Sequence, residues 1–523
     1  MKRKKIVLTL MAILLVGIVL YLCLPVENIK TWIATQSNQR ANVGASKTFD
    51  ISATSEDHVT AKVTCTDRNG STDYFSIEIT GTGNMKDWTS WGNTDYSSYI
   101  DNQGGWFWVI NQITIGSGVT NIGNYAFACS DVYEASVTIS DTVTSIGDYA
   151  FAGSGISGNI TIPSSVISIG DYAFDGSWIS GNITIPSSVT SIGDYAFRRC
   201  KKLTGIIVDS NNLNYSNDAG DGVLFNKDKS TLICYPAGKT DTTYQVSYLV
   251  TSIEACGFYG NTYIKKISVP SNIEEIKDYT FYGCSNLNGF CGIIEESDEL
   301  NLKIIGNYAF YNCKKLVDFT NMNYVTNIGN YAFYNCSALL NDRTEIGNTV
   351  IKSVGDYAFY NCGRLEVSMI DANSLKTIGN YAYSKSGITE AYIKNNVTSI
   401  GKYAFLNCSK LPAINVVSTN TNYCSEDGVL FNKNKSTLIC YPAGKTDSTY
   451  IVPTKVTLIE NYAFSYNDNI QTLTIDSKVN EIKDQGIYNN SKLNIIKFCS
   501  TPSTIGDISV NSRNKAYYSR IFI

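Results

Sequence analysis

Residues 182–197 read NITIPSSVTSIGDYAF, and a phrase close to its last six letters, I-G-[DN]-Y-A-F, returns about every 23 residues from Ile122 onward. The closing Phe falls at 127, 151, 174, 197, 258, 281, 310, 333, 359, 405 and 464; Tyr383 and Ile487 hold its place in two weaker copies, which makes 13. Within the quoted stretch Ile183 and Ile185 alternate with Asn182 and Thr184, as in a half-buried strand. Pro186 ends that strand because it has no N–H to donate to a ladder. Val189 and Ile192 point back inward, Gly193 permits the bend, and Ala196 and Phe197 close the core. Leu203 opens the next strand six residues past Phe197, an offset that Leu287, Leu316, Leu339, Leu365 and Leu411 repeat. One such unit cannot bury its own apolar face, so the copies must stack into a solenoid.

The period is too short for a helical pair and lies in the leucine-rich-repeat range. The predicted fold class is therefore mainly β, a leucine-rich-repeat solenoid over residues 113–500. At 523 residues the chain outgrows a single compact core, a limit that stacked coils escape. Residues 49–112 alternate like strands and hold four of the six Trp, at 88, 91, 106 and 108. They predict an N-terminal cap over the first coil, with an aromatic platform for sugars as the alternative. Residues 501–523 read as a C-terminal tail or cap. At the other end, basic residues 2–5 precede an uncharged stretch, 6–24, long enough to span a bilayer core. Residues 1–24 are thus a signal anchor or a cleaved signal peptide, and 25–48 a polar linker. The basic end should stay cytoplasmic, which exports the repeats. The chain stops at YYSRIFI without a recognisable sorting motif. Anchoring at the cell surface is then expected from the N-terminus, with secretion if the segment is cleaved, and membrane contact only through residues 6–24.

Formal net charge is −4, and −8 without Lys2, Arg3, Lys4 and Lys5, a balance that argues against a nucleic-acid partner. No cofactor and no metal are expected: the single His, His58, precedes the array and lacks partners at ligand spacing. A Ser or Cys nucleophile normally needs such a base nearby, so enzyme activity is not expected; a glycosidase carboxylate pair matches a repeated turn acid poorly. Six of the 15 Cys (200, 284, 313, 336, 362 and 408) sit three residues past the repeat Phe, where Asn261 and Asn467 stand in other copies. They predict a ladder of free thiols inside the coil, with occasional bridging sterically open. Tyr recurs two residues before the Phe, at 125, 149, 172, 195, 279, 308, 331, 357, 381, 403 and 462. Stacked rings there are either structural or a ligand surface. The Asp or Asn just before them (Asp148, Asp171, Asp194, Asn307, Asn330) reads as a turn residue.

Two gaps in the period, 197–258 and 405–464, hold nearly the same passage, DGVLFNKDKSTLICYPAGKTD at 221–241 and DGVLFNKNKSTLICYPAGKTD at 427–447. GVLFN and STLICYP around a short turn predict a β-hairpin that protrudes from the stack or fills a coil position. Loops are expected to bulge near 291–303 and 341–349. These phrases, together with ITGTGNMKDW at 79–88, resemble the BspA-like family of bacterial leucine-rich repeats over about residues 60–500. The resemblance implies a curved β-solenoid on a cell surface and a role in adhesion to host matrix protein or other cells. It supplies no catalytic residues.

The strand face of a solenoid is its default binding surface. Alternation turns Asn159, Thr161, Asn182, Thr184, Lys266, Ser268, Glu390, Tyr392, Thr472 and Thr474 outward there. The expected function is non-catalytic recognition of a host matrix protein, a cell-surface protein or a glycan. The alternative is a structural spacer that organises the envelope without a specific ligand.

Overall fold

A computed structural model of the chain describes residues 43–69, 72–89, 107–128, 132–218, 220–292, 300–319, 323–340, 350–366, 371–506 and 517–518. These form an all-strand, parallel β-solenoid, with no α-helix among the described residues. No helix among them is long and apolar enough to cross a membrane. The stretch 6–24, Trp91, Trp106, the Trp108 side chain, most of the C-terminal tail and most of the two expected bulging loops lie outside the described residues. The chain divides into two compact units, Met1–Asp228 with Pro236–Gly238, and Lys229–Tyr235 with Lys239–Ile523.

The first unit starts as an antiparallel meander of β1 (Ser46–Asp50), β2 (His58–Asn69) and β3 (Thr72–Asn84). β3 then seeds both strand columns of the solenoid. Its body, from Thr72 to Ile79, pairs in parallel with β4 (Phe107–Ile115), and its end, Gly83 and Asn84, pairs with β5 (Val119–Ile122). From β5 the column runs through Ser145–Ile146, Ser168–Ile169 and Ser191–Ile192. Positive φ at Gly81 and Gly83 makes this crossing feasible, since a side chain at Gly81 would strike the His58 carbonyl. In the second unit the two columns run side by side through the coils that follow Tyr235.

The repeat phrase sets a third column, which among the described residues becomes a strand only where Phe464–Ser465 pairs with Ile487–Tyr488. Tyr149 N–H donates to Asp171 O at 2.8 Å, Phe151 N–H to Ala173 O at 2.7 Å and Gly153 N–H to Asp175 O at 2.7 Å. Such bonds point along the stack because the Tyr lies in the left-handed region in every copy, with φ between 54° and 62°. That geometry costs a bulky residue about 1–2 kcal/mol. The bond to the next coil and the stacking of its ring offset the cost.

Inside, the repeat Phe rings stack face to face as the period predicts. Phe127, Phe151 and Phe174 are fully buried, with centroids 5.3 and 5.4 Å apart. In the second unit Phe258, Phe281, Phe310, Phe333 and Phe359 continue likewise at 5.0–5.3 Å, and Tyr383 follows. Phe290 and Phe319 meet this stack edge-on, adding T-shaped contacts.

The second passage, at 427–447, fills a coil position. Tyr423–Glu426 pairs antiparallel with Val429–Asn432, which pairs antiparallel with Thr437–Cys440. That strand in turn pairs in parallel with Leu458–Ile459, restarting the column. Tyr441 then takes the place of the repeat Phe: it is buried, its N–H donates to Ala463 O, and its ring lies 5.1 Å from Phe464. Tyr235 does the same against Phe258 at 4.9 Å. Each long gap is thus one irregular coil followed by one regular coil.

Candidate functional site

Strand alternation dictates which side chains the outer face presents. Along Lys266–Val269 the pattern is exposed, buried, half-buried, buried, with Ile267 and Val269 inside. Register sets Lys266 between Thr243 and Gly289, and Ser268 between Gln245 and Cys291. All ten residues expected outward are exposed or half-exposed. They do not make one site. Asn159, Thr161, Asn182 and Thr184 belong to the first unit, where the first two lie outside any strand; Lys266 and Ser268, Tyr392, and Thr472 and Thr474 lie in three sheets of the second, and Glu390 just precedes the strand Ala391–Ile393.

Two of the ten serve the fold as well. The Asn182 Oδ1 accepts from Thr204 Oγ1 at 3.1 Å and lies over Gly205, where a Cβ would meet it; Asn159 lies over Gly181 in the same way. By contrast, the three strands Thr449–Ile451, Thr472–Ile475 and Ile495–Phe498 build a compact patch. Thr449, Thr472 and Ile495 align across them, as do Ile451, Thr474 and Lys497. Ile451 is 69% exposed and Ile495 38%. Thr472 and Thr474 were legible as outward-facing. Ile451 and Ile495 were missed, although each alternates with a buried neighbour, Val452 and Ile496.

The turn acids and amides do more than turn. Asp148 Oδ1 accepts the N–H of Asp171, Asp171 Oδ1 that of Asp194, and Asn307 Oδ1 that of Asn330, at 2.7–2.8 Å. Each side chain therefore satisfies a backbone donor one coil on, which only Asp or Asn has the reach and acceptor to do. No group of His, Cys, Asp and Glu among the described residues is arranged to hold a metal ion.

The thiols are spoken for too. Cys284 donates to Phe258 O, Cys336 to Phe310 O and Cys408 to Tyr383 O, at 3.0–3.1 Å, and every described Cys is free of disulfides. Burial pushes the Cys200, Cys284 and Cys408 thiols up to about 12, the reverse of what a nucleophile needs. His58 is an exposed residue of β2. Trp88 is buried with Lys86 over its ring, so it offers no platform for a sugar. Its backbone N–H donates to Asn124 O just as the N–H groups of Tyr125, Tyr149 and Tyr172 bond the following coil, which makes MKDW an early copy of the repeat turn. The basic run Arg198, Arg199, Lys201, Lys202 went unread in the sequence; both Arg are held by the buried Asp175.

The Tyr rings stack as expected, Tyr125 on Tyr149 at 4.7 Å and Tyr149 on Tyr172 at 4.6 Å. The second unit adds a second ladder, from the Tyr that follows the repeat Phe. Tyr259, Tyr282, Tyr311, Tyr334 and Tyr360 stack at 4.7–4.9 Å with interplanar angles of 2–7°. Beside it Asn335 Nδ2 donates to Asn312 Oδ1, and Asn361 Nδ2 to Asn335 Oδ1. The phrase YAFYN at 308–312, 331–335 and 357–361 carried this signal.

Stacked parallel coils with a short strand, a tight turn and an inward aromatic define a leucine-rich-repeat protein. The family profile described as "BspA type Leucine rich repeat region" matches residues 107–136, 120–220, 240–339, 303–435 and 445–516, most of the chain. The chain belongs to this family. Among solved structures it is similar to a leucine rich cell surface protein from Faecalibacterium prausnitzii, at 23% identity and TM-score 0.47, over 56% of this chain and 77% of that one. It is also similar to a leucine-rich repeat protein from Eubacterium ventriosum, at 22% identity and TM-score 0.46, over 74% of this chain and all of that one. A third, from Bacteroides ovatus, is 21% identical with TM-score 0.37, over 80% and 94% of the two chains. No curated protein matches the chain.

Proposed function

We propose that this chain is an exported, non-catalytic recognition protein that displays its repeats at the bacterial cell surface and binds a host matrix protein, a cell-surface protein or a glycan. The observation that carries this reading is the patch on Thr449–Ile451, Thr472–Ile475 and Ile495–Phe498. Solvated strands favour polar outward residues, yet here two Ile side chains stand among three Thr and a Lys in register. Such a mixture supplies apolar contact and hydrogen bonding together, the make-up of an interface core with a polar rim. The buried thiols support a binding role over a chemical one.

The test is binding of the purified chain to arrays of matrix proteins and glycans, beside an Ile451→Asp, Thr474→Lys variant whose fold is checked by circular dichroism. Saturable binding that the variant weakens tenfold or more supports the reading. Silence across both arrays, with loss of cell shape on deletion, would favour the spacer instead.

A further inference from the structure

The turn from Phe197 to Leu203 carries Arg198, Arg199, Lys201 and Lys202, four cations in five residues. It stacks on the same turn of the preceding coil, where Gly176 N–H donates to Arg198 O at 2.7 Å. There the buried Asp175 carboxylate takes both guanidiniums. Arg198 reaches it through Nε and Nη2 at 3.1 and 2.8 Å, and Arg199 through the same two atoms, its Nε at 2.9 Å. Lys201 and Lys202 are exposed and form no ion pair among the described residues. Four cations against one carboxylate leave this corner of the first unit at +3, beside an uncharged corner, 152–155, in the coil before.

The fold does not ask for these charges. Ala128 and Ala152 stand where Asp175 and Arg198 do, and the Phe rings stack equally well there. Arg198 alone satisfies both Asp175 oxygens while lying over the rings of Tyr172 and Tyr195, at 5.0 and 5.5 Å. Arg199 repeats those bonds from a left-handed residue, φ 60°, a conformation unfavourable for any bulky side chain. Most copies give that place to Gly or Asn, as at Gly153, Gly176, Asn312 and Asn335. A second guanidinium held there against the backbone's preference calls for a ligand.

The cations are rigidly displayed. Between the Arg pair and the Lys pair, the fully buried Cys200 donates to Phe174 O at 3.0 Å, and Gly181 N–H donates to Lys202 O at 3.2 Å. Charges fixed on a locked turn lose little order on binding. Lys202 Nζ stands 4.5 Å from the centre of the Trp178 ring, which is 38% exposed, so an aromatic surface borders the charges. Guanidinium forks pair with oxyanions, and the indole adds apolar contact. A sugar ring offers an apolar face beside its anionic substituents, which an acidic peptide does not. The positive charge is confined to one corner of a chain that is otherwise net negative, which suits a few anionic groups and not the long phosphate row of a nucleic acid. From this we infer that residues 175–178 and 198–202 form a binding site for the sulfate and carboxylate groups of an acidic glycan. The site shares no residue with the strand patch and does not depend on that patch binding anything.

The test is a fluorescence-anisotropy titration of the full chain with a labelled heparin hexasaccharide at low and at physiological salt. A hyaluronan hexasaccharide, a neutral chitin oligosaccharide, single-stranded DNA of matched charge and a polyglutamate peptide are titrated alongside. The expected result is saturable heparin binding that weakens with salt, with the neutral sugar silent and the DNA and peptide at least tenfold weaker. Hyaluronan binding as well would show that carboxylates suffice; its silence would show that sulfate is required, and either outcome keeps the proposal. Lys201→Ala with Lys202→Ala should weaken heparin binding at least tenfold, Arg199→Asn several-fold, and Ile451→Asp not at all. Lys201→Arg with Lys202→Arg should retain it. No heparin binding, equal binding of the DNA or the peptide, or binding of the neutral sugar overturns the proposal. So does full affinity in a folded Ala variant. The probe series needs no variant and keeps the proposal testable should the Ala protein fail to fold.

Discussion

The run of regular coils from Phe281 to Tyr383 and the irregular coil at 414–447 solve one problem in two ways. Each coil of a parallel stack leaves backbone donors on its open side, and a buried donor without a partner costs about 1–3 kcal/mol. In the regular run the next coil supplies the acceptors. Column follows column, from Glu275–Ile276 through Ile304–Ile305, Asn327–Ile328, Ser353–Val354 and Thr377–Ile378 to Ser399–Ile400. There the column stops, and side chains take over. The Tyr423 hydroxyl accepts the Ile400 N–H at 2.9 Å, and Ser425 Oγ accepts that of Val416. Asn420 donates to Lys394 O and Val397 O, and accepts from the N–H of Asn422 and Tyr423. The first unit repeats the device with Tyr215 on Ile192 and Asn212 on Pro186 and Val189. A solenoid can therefore change its register mid-array, provided that a few polar side chains close the column it abandons.

The largest expected effect in this comparison is alkaline unfolding. Burial raises the thiols of Cys284 and Cys408 from the usual 9 to about 12, and Cys313 and Cys336 are raised as well. A thiol whose native value is raised ionises first in the unfolded chain, so stability is intact below pH 9 and falls as pH climbs from about 9 toward 12. Circular dichroism across that range should show cooperative loss of β structure, and replacing Cys313 and Cys336 with Ala should move the midpoint upward. Next comes Phe333→Ala in the regular run, which opens a cavity in a fully buried stack and should cost about 3–5 kcal/mol in denaturant unfolding. In the irregular coil, Tyr423→Phe keeps the ring and removes the acceptor for Ile400, at about 1–2 kcal/mol. Asp356→Asn should be nearly silent by the same measurement, because Asn330 already does this work for the coil before it.

The regular coils were legible because each position of the phrase answers to one physical demand. Phe310 and Phe333 fill the interior, Cys336 satisfies a carbonyl, and Tyr331 stacks. The second Tyr ladder was equally visible in YAFYN yet unread, because a residue just past the core aromatic has no role in the single-coil pattern. The irregular coil was only half legible. Its hairpin follows from GVLFN and STLICYP, but Tyr441 as a core ring does not, since CYPAG shares no letters in register with YAF. The double use of β3 was likewise hidden, because strand alternation says nothing about how many neighbours a strand will have. For the binding face, alternation gave the outward side chains correctly, while their division among separate sheets depends on register between coils.

Amide hydrogen exchange across the repeat turns tests the central claim, that the regular coils of the second unit are joined by three columns of bonds between coils. Tyr308 N–H donates to Asn330 O, Phe310 N–H to Ala332 O and Asn312 N–H to Tyr334 O, all within 2.7–2.8 Å, although none of the three lies in a strand. They should exchange as slowly as the strand amides of Ile267 and Val269. Exchange within seconds, as in a solvent-exposed turn, would mean that the coils are not bonded there and would contradict the stack.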